Sequence, residues 1–278
     1  MANQNIYATL AEYKSFVTSR GQTFTTDAAD DSVIVDLLEA ASRFLDEKTD
    51  RHFYPSIKSC VYDLPTDGAL YLGDDLLEVI TLTNGDGSTI ASNQYNFKSP
   101  NSTPYWAIVM KQLASTSWQA SDTNGSEQAI AVNGWWGYHN NYSRGWLQVG
   151  TLSAAITDTT TLAFSATTGH AITAGMIIKI DSEIYNIDAA ATNTITPVRR
   201  GDNGSTAATH LINAPVYKWQ SMSSVKESVL EIASQAYKRR FGQSGDSSTT
   251  FTAAGVIVTS RDVPTMAQEF IKNFRVLL

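Results

Sequence analysis

Four histidines, one cysteine and a few acidic pairs are the residues of this 278-residue chain whose types could do chemistry, and their spacing argues against it. His52, His139, His170 and His210 are scattered, with no H-x-x-x-H or H-E-x-x-H pairing to put two imidazoles on one helix face. The lone Cys60 forbids an intrachain disulfide and a cysteine-based zinc site. Acidic groups stand at Asp27, Asp30 and Asp31 and at Asp74-Asp75. Neither continues into the D-x-[DN]-x-[DN]-G spacing, closed by a Glu, that wraps calcium. A helix N-terminus and a strand turn account for them. No G-x-S-x-G elbow presents a nucleophile, Ser244 having no strand before it, and no glycine-rich phosphate loop occurs. No catalytic residue, metal ligand or cofactor is assigned, and the chain is not expected to be an enzyme.

Two clusters carry more information. Lys238-Arg239-Arg240 places three cations together, where capping of a helix C-terminus needs fewer. Capping remains the favoured reading, with a docking patch for an acidic partner or for passing DNA as the other. The stretch NGWWGYHNNYSRGW (Asn133–Trp146) packs Trp135, Trp136, Tyr138, Tyr142 and Trp146 into a knot. Flat rings can stack on sugars, but core residues sealing a domain junction, paired with Tyr217 and Trp219, are the favoured reading. Trp146 and Trp219 are then expected to be neighbours and buried.

The elements that must position these residues follow from periodicity. Thr9-Leu10-Ala11-Glu12 is a capping box opening a short helix. A second helix starts in the acidic run Asp27–Asp31 and carries Ile34, Leu37, Leu38, Ala41, Phe44 and Leu45 as one stripe. From Lys58 to Tyr138 the period becomes two, giving strands at Cys60–Leu64, Ala69–Leu72, Leu76–Thr83, Gln94–Lys98, Ala107–Met110 and Gln128–Asn133, with a hairpin turn at Asn84-Gly85-Asp86-Gly87. After the knot the composition shifts to Thr, Ala and Ile, with short strands at Leu162–Ser165, Met176–Ile180, Glu183–Ile187 and Thr194–Val198. An amphipathic helix follows, with Val225, Val229, Ile232, Ala233, Ala236, Tyr237 and Phe241. A strand at Ala254–Ser260 and a last helix after Val263-Pro264 complete the chain.

The expected fold class is α+β. A helical frame of about four helices (about 9–18, 30–50, 223–241 and 264–275) carries a small antiparallel β unit (58–138) and is interrupted by an inserted all-β domain. The domain boundaries are 1–148 plus 217–278 for the frame and 149–216 for the insert. Only 17% of residues are charged and the net charge is −7, which suits a nucleic-acid binder poorly. A channel that lets DNA slide would tolerate it. The opening MANQNIYATLAEY has no basic run before an apolar stretch, so no signal peptide is expected. No run reaches the 18–20 or so apolar residues of a membrane span.

The order of these motifs resembles a known family. YATLAEYKSFV followed by DDSVIVDLLEAASRFLDEKTDRHFYP, then VNGWWGY, then SSVKESVLEIASQAYKRRFG, is similar to the head–tail connector (head completion or adaptor) proteins of tailed bacteriophages. The likeness covers most of residues 1–148 and 217–278. The insert resembles a small β module that recurs in phage virion proteins, on Arg200, Gly201, Gly204, Thr206, Ala207, His210 and Val216. Ser205 and Asn213 depart mildly from that pattern. Gly201 and Gly204 suit a tight turn with positive φ, and His210 reads as a structural hydrogen-bonding residue.

What the resemblance implies is a structural protein of the virion neck, made in the bacterial cytoplasm. It would form a homo-oligomeric ring, twelve copies in the family's usual form, beneath the portal protein. It would contact the tail or the next neck ring below, and DNA would pass through without sequence-specific binding. No membrane is involved. Candidate ring and partner contacts are Lys238, Arg239 and Arg240 together with Phe274, Arg275, Leu277 and Leu278, because a chain end apolar to its last residue is expected to pack on a partner. The alternative is a decoration or host-glycan-binding virion protein acting through the insert.

Overall fold

Thr9 and Glu12 cap one another. The Glu12 amide donates to Thr9 Oγ1 over 3.3 Å and the Thr9 amide donates to the Glu12 carboxylate over 2.8 Å, satisfying amides that a helix start leaves open. In the computed structural model, which describes residues 4–21, 28–240, 250–251, 257–258 and 263–276, this box opens helix α1, Leu10–Ser19. Helix α2, Ala28–Thr49, turns Ile34, Leu38, Ala41 and Leu45 fully inward. Helices α3, Ser223–Arg240, and α4, Thr265–Phe274, bury Val225, Val229, Ala233 and Phe270. These four stripes, with Tyr7, Phe53 and Met222, form one apolar core.

Strands β1 (Ser56–Tyr62), β2 (Ala69–Thr83), β3 (Tyr95–Lys98), β4 (Tyr105–Met110) and β5 (Ile130–Trp136) pair antiparallel in the order β1-β5-β2-β4-β3. Strands β6 (Trp146–Thr151), β7 (Phe164–Ser165), β8 (Ile177–Ile180), β9 (Glu183–Ala190), β10 (Thr194–Pro197) and β11 (Pro215–Trp219) make a second antiparallel sheet, β6-β11-β8-β9-β10-β7. Alternation gives each sheet two different faces. Leu76, Leu82, Val132 and Trp136 line the first sheet's own core, while Ile178, Ile180, Tyr185 and Ile187 line the second's. Leu77 and Trp135 of the first sheet meet Ile177, Ile184 and Trp219 of the second in a shared cluster.

The fold is therefore mostly β, two antiparallel sheets of five and six strands in a sandwich-like arrangement with four helices among the described residues. This corrects the expected α+β helical frame with a small β unit. Two causes are visible. The separate runs Ala69–Leu72 and Leu76–Thr83 are one 15-residue strand, β2, whose pairing with β4 shifts register between Tyr71 and Leu76 instead of stopping. A bulge of this kind bends a strand and keeps its sheet. The Asn84–Gly87 turn forms, with Gly87 N–H on Asn84 O at 2.9 Å, but its return leg supplies only the Thr83–Thr89 bridge. The lasting neighbours of β2 are β4 and β5, which no local pattern announces.

The six-stranded sheet also reaches past the insert, since β6 and β11 begin and end in the flanking segments. The expected strand Ala254–Ser260 coincides with a short pair, β12 (Thr250–Phe251) with β13 (Ile257–Val258), only at 257–258. Its remaining residues, like Asp27, Phe241, Ser244, Leu277 and Leu278, lie outside the described ones.

Candidate functional site

The aromatic knot is divided among three places. Trp146 and Trp219 are register partners in β6 and β11, with ring centroids 5.0 Å apart and edge-on. Trp135 reaches Trp146 from the other sheet at 6.0 Å. Trp219 is 7% exposed and its Nε1 donates to Phe53 O at 3.1 Å, while Trp146 is half-buried. The Lys179 ammonium sits 4.7 Å from the Trp146 ring centre, 5.3 Å from Trp135 and 5.7 Å from Tyr217, within cation–π range of all three. Burial pulls Lys179 below the usual lysine value, partly offset by Glu78. Trp136 points the opposite way, into the five-stranded core, with Nε1 on Lys58 O at 3.0 Å. Tyr138 joins the helical layer against Phe53 and Phe274, under the Arg51 guanidinium. Trp135, Trp136 and Trp219 are thus interior residues and offer no flat face to a sugar.

The turn of the insert is a second joint between the sheets. Glu183, completely buried on β9, accepts from Arg200 Nε and Nη2 (2.8 and 2.9 Å), Gly201 N (2.9 Å) and Ala208 N (2.8 Å). His210 Nε2 lies 3.0 Å from the same carboxylate, and Nδ1 lies 2.7 Å from Asp181. Burial would raise the Glu183 carboxyl, but the bonds from Arg200, His210, Ala208 and Gly201 outweigh it and hold the group well below the carboxylate range. Asp202, also fully buried, accepts from the Asn186 amide and side chain and from Arg199. The turn then touches the first sheet. Asn203 O accepts from Ile57 N at 2.8 Å, and its side chain reaches Pro55 O and Asn5. Gly204 has φ +78°, and a Cβ there would collide with the Ile57 carbonyl, which explains the glycine. Thr206 is exposed.

This Asp–His–Glu–Tyr group looks like acid–base machinery, but both oxygens of Glu183 already accept from Arg200 and from turn amides, and His210 is 3% exposed. The arrangement fastens a turn. Sequence reasoning named Arg200, Gly201, Gly204 and His210 but missed Glu183, Asp202 and Lys179. For Lys179 and Glu183 the available signal was polar residues set inside the apolar run IIKIDSEIYNI; Asp202 carried none.

The remaining candidates lie in the helical layer. Lys238, Arg239 and Arg240 form the last turn of α3, with Arg239 and Arg240 exposed. Phe274 is half-buried and packs on its own chain, its ring 4.4 Å from Phe270 and 5.3 Å from Tyr138. Its carbonyl accepts from Arg51 Nε at 2.7 Å, and Val276 N donates to Thr49 O at 3.0 Å. Arg275 is exposed and helps rim a groove of about 520 Å³ between α2 and α4, with Phe44, Ile271, Lys48 and Lys272. Burial lowers both His52 and His139. Among the described residues no group of three or more His, Cys, Asp or Glu is placed to hold a metal ion, and no helix is long and apolar enough to cross a membrane.

No protein-family model matches the chain, and no curated protein matches it.

Proposed function

We propose that the chain is a structural virion protein of a tailed phage, a head–tail connector that forms a ring beneath the portal, extends the DNA channel and offers the tail its attachment surface. The observation that carries this reading is the helical layer. The two stretches that resemble connectors lie at opposite ends of the sequence, yet Tyr13, Val17, Ile34 and Leu38 of the first share one core with Val225, Val229, Ala233 and Phe270 of the second. The helical parts of the resemblance therefore share one packed layer, which supports a connector reading, while VNGWWGY lies on β5 with Trp136 in the five-stranded core. The basic last turn of α3 and the groove rimmed by Lys48, Lys272 and Arg275 put cations on the helical layer of a chain with net charge −7, which supports heterologous contacts of the kind a cyclic ring uses.

The glycan-binding alternative has less support. The insert's aromatics Phe164 and Tyr185 are 6% and 0% exposed, so no ring there is presented for stacking.

Negative-stain imaging of the purified protein mixed with portal tests the proposal. Rings seated on the portal, twelve-fold in the expected form, support it, and failure to bind portal refutes it. Because Phe274 supports its own core, the tail is best tested by removing only Leu277 and Leu278. Weakened attachment is expected, and unchanged attachment takes these two leucines out of the interface.

A further inference from the structure

Both nitrogens of the His210 ring face carboxylates. Nδ1 lies 2.7 Å from Asp181 Oδ2 and Nε2 lies 3.0 Å from Glu183 Oε2, with the Tyr185 hydroxyl 3.1 Å from the same Nε2. A neutral imidazole has one N–H and serves one carboxylate, whereas the protonated ring serves both. Glu183 cannot turn away, because Arg200, Gly201 N and Ala208 N hold both of its oxygens. Asp181 differs, its side chain being 58% exposed at the β8–β9 turn. The groups facing the ring are Asp181 on that turn and Glu183 and Tyr185 on β9. Arg200 lies behind Glu183, its guanidinium 5.6 Å from the Tyr185 ring centre. The segment at Ile156 pairs with His210 through backbone alone.

We propose that His210 is a proton-operated latch on the 200–210 turn. Protonated, it donates to Asp181 and Glu183 at once. On releasing its proton to solvent it has one N–H for the two carboxylates, so one of its two bonds is lost and that carboxylate faces a ring lone pair. The turn loosens, and with it the joint that Asn203 and Gly204 make with Ile57 on the other sheet. Burial pulls the ring's pKa down, but the bonds and charges of Glu183 and Asp181 outweigh it and raise His210 above its ordinary value. The contribution to stability is thus complete below about pH 6.5 and is lost as pH climbs through the raised value.

The test follows the His210 ring nitrogens by NMR in the full chain between about pH 5 and pH 9. Amide exchange at Gly201, Ala208 and Ile57 is measured alongside and corrected for intrinsic rates. The ring is expected to be doubly protonated at the acid end, and protection at these three amides to fall about tenfold or more as it deprotonates. Ile90 N–H, bonded to Leu82 O in the five-stranded sheet, should keep its protection. His210→Gln should abolish the step. Asp181→Asn, at an exposed position, should move it to lower pH. A ring that is neutral throughout overturns the latch, as does an unchanged step in H210Q. Should H210Q not fold, an unmoved step in D181N overturns it equally.

Discussion

Two regions of the molecule bury a carboxylate and settle it in opposite ways. Glu183, in the turn of the six-stranded sheet, is completely buried and yet stays well below the carboxylate range. Asp46, on α2 in the helical layer, keeps 18% of its side chain exposed and is nevertheless pushed up to about 6. Its burial is opposed only by Arg43, at 3.2 Å, and by the Tyr7 hydroxyl, at 2.5 Å. Glu183 has a two-pronged guanidinium, two backbone amides and an imidazole. The contrast shows that depth does not decide the charge state. The donors do: against burial, the Arg200 guanidinium and the His210 ring lower Glu183 most, and the Ala208 and Gly201 amides of the folded turn add to them.

The largest way to break the contrast is to remove the guanidinium. Arg200→Met leaves Glu183 buried with a missing partner and is expected to cost about 3–5 kcal/mol in urea unfolding. Adding Glu183→Leu removes the uncompensated charge but also takes the acceptor from Gly201 N and Ala208 N, so the double variant should lose less than the sum of the two single losses. Strict additivity would mean that the acid is not what Arg200 serves.

The next effect is on Asp46 and has a definite sign. A carboxyl raised in the folded state contributes stability below its unfolded value, near pH 4, and loses it as pH rises through about 6. Stability should therefore fall across that window by up to roughly 3 kcal/mol. Asp46→Asn, which still accepts from Tyr7, should flatten this part of the profile. Glu183, lowered in the folded state, works in the reverse sense: its contribution holds above about pH 4 and is lost only as pH falls below that. A monotonic rise in stability from pH 4 to pH 6 would contradict the assignment for Asp46.

Gly204→Ala sharpens the claim that the turn is rigid because it is docked. With φ +78° and the Ile57 carbonyl in the way, a loss of roughly 1–3 kcal/mol is expected. Gly169→Ala, also at positive φ (+85°) but with open space around its Cβ, should lose only the conformational part. Equal losses at both sites would show that docking against β1 adds nothing.

Helix starts, stripes and turns were legible because each is written within a few residues: Thr9-x-x-Glu12, the Ile34–Leu45 stripe, the Asn84–Gly87 turn. The balance of the fold was not. Strand β1 pairs with β5 across the three strands β2, β3 and β4, and β6 with β11 across the insert. Spacing cannot state who pairs with whom. The aromatic knot was legible as a set of rings but not as a partition. Trp135 and Trp136 are adjacent, so strand alternation sends one to the seam and the other to the sheet's own core. Arg200, Gly201, Gly204 and His210 were visible as a turn pattern. The target shared by Arg200, Gly201 and His210, Glu183, lies on an earlier strand and declares itself only when the turn folds over it.

A third carboxylate, on α1, gives the smallest test. Glu12 accepts from the Thr9 amide and from Lys226 at 2.5 Å, with a third of its side chain in solvent. Solvent can replace Lys226, so Lys226→Met should change stability by no more than about 1 kcal/mol. Thr9→Ala removes the hydroxyl that receives the Glu12 amide and should cost about 1 kcal/mol. The two losses should differ in salt response, because one variant removes a cation and the other a neutral hydroxyl. The Lys226 effect should fade at high ionic strength, because an exposed pair is screened, and the Thr9 effect should persist. Equal fading would mean that Thr9 stabilises α1 through the charge of Glu12 and not through the bond its hydroxyl takes from the Glu12 amide.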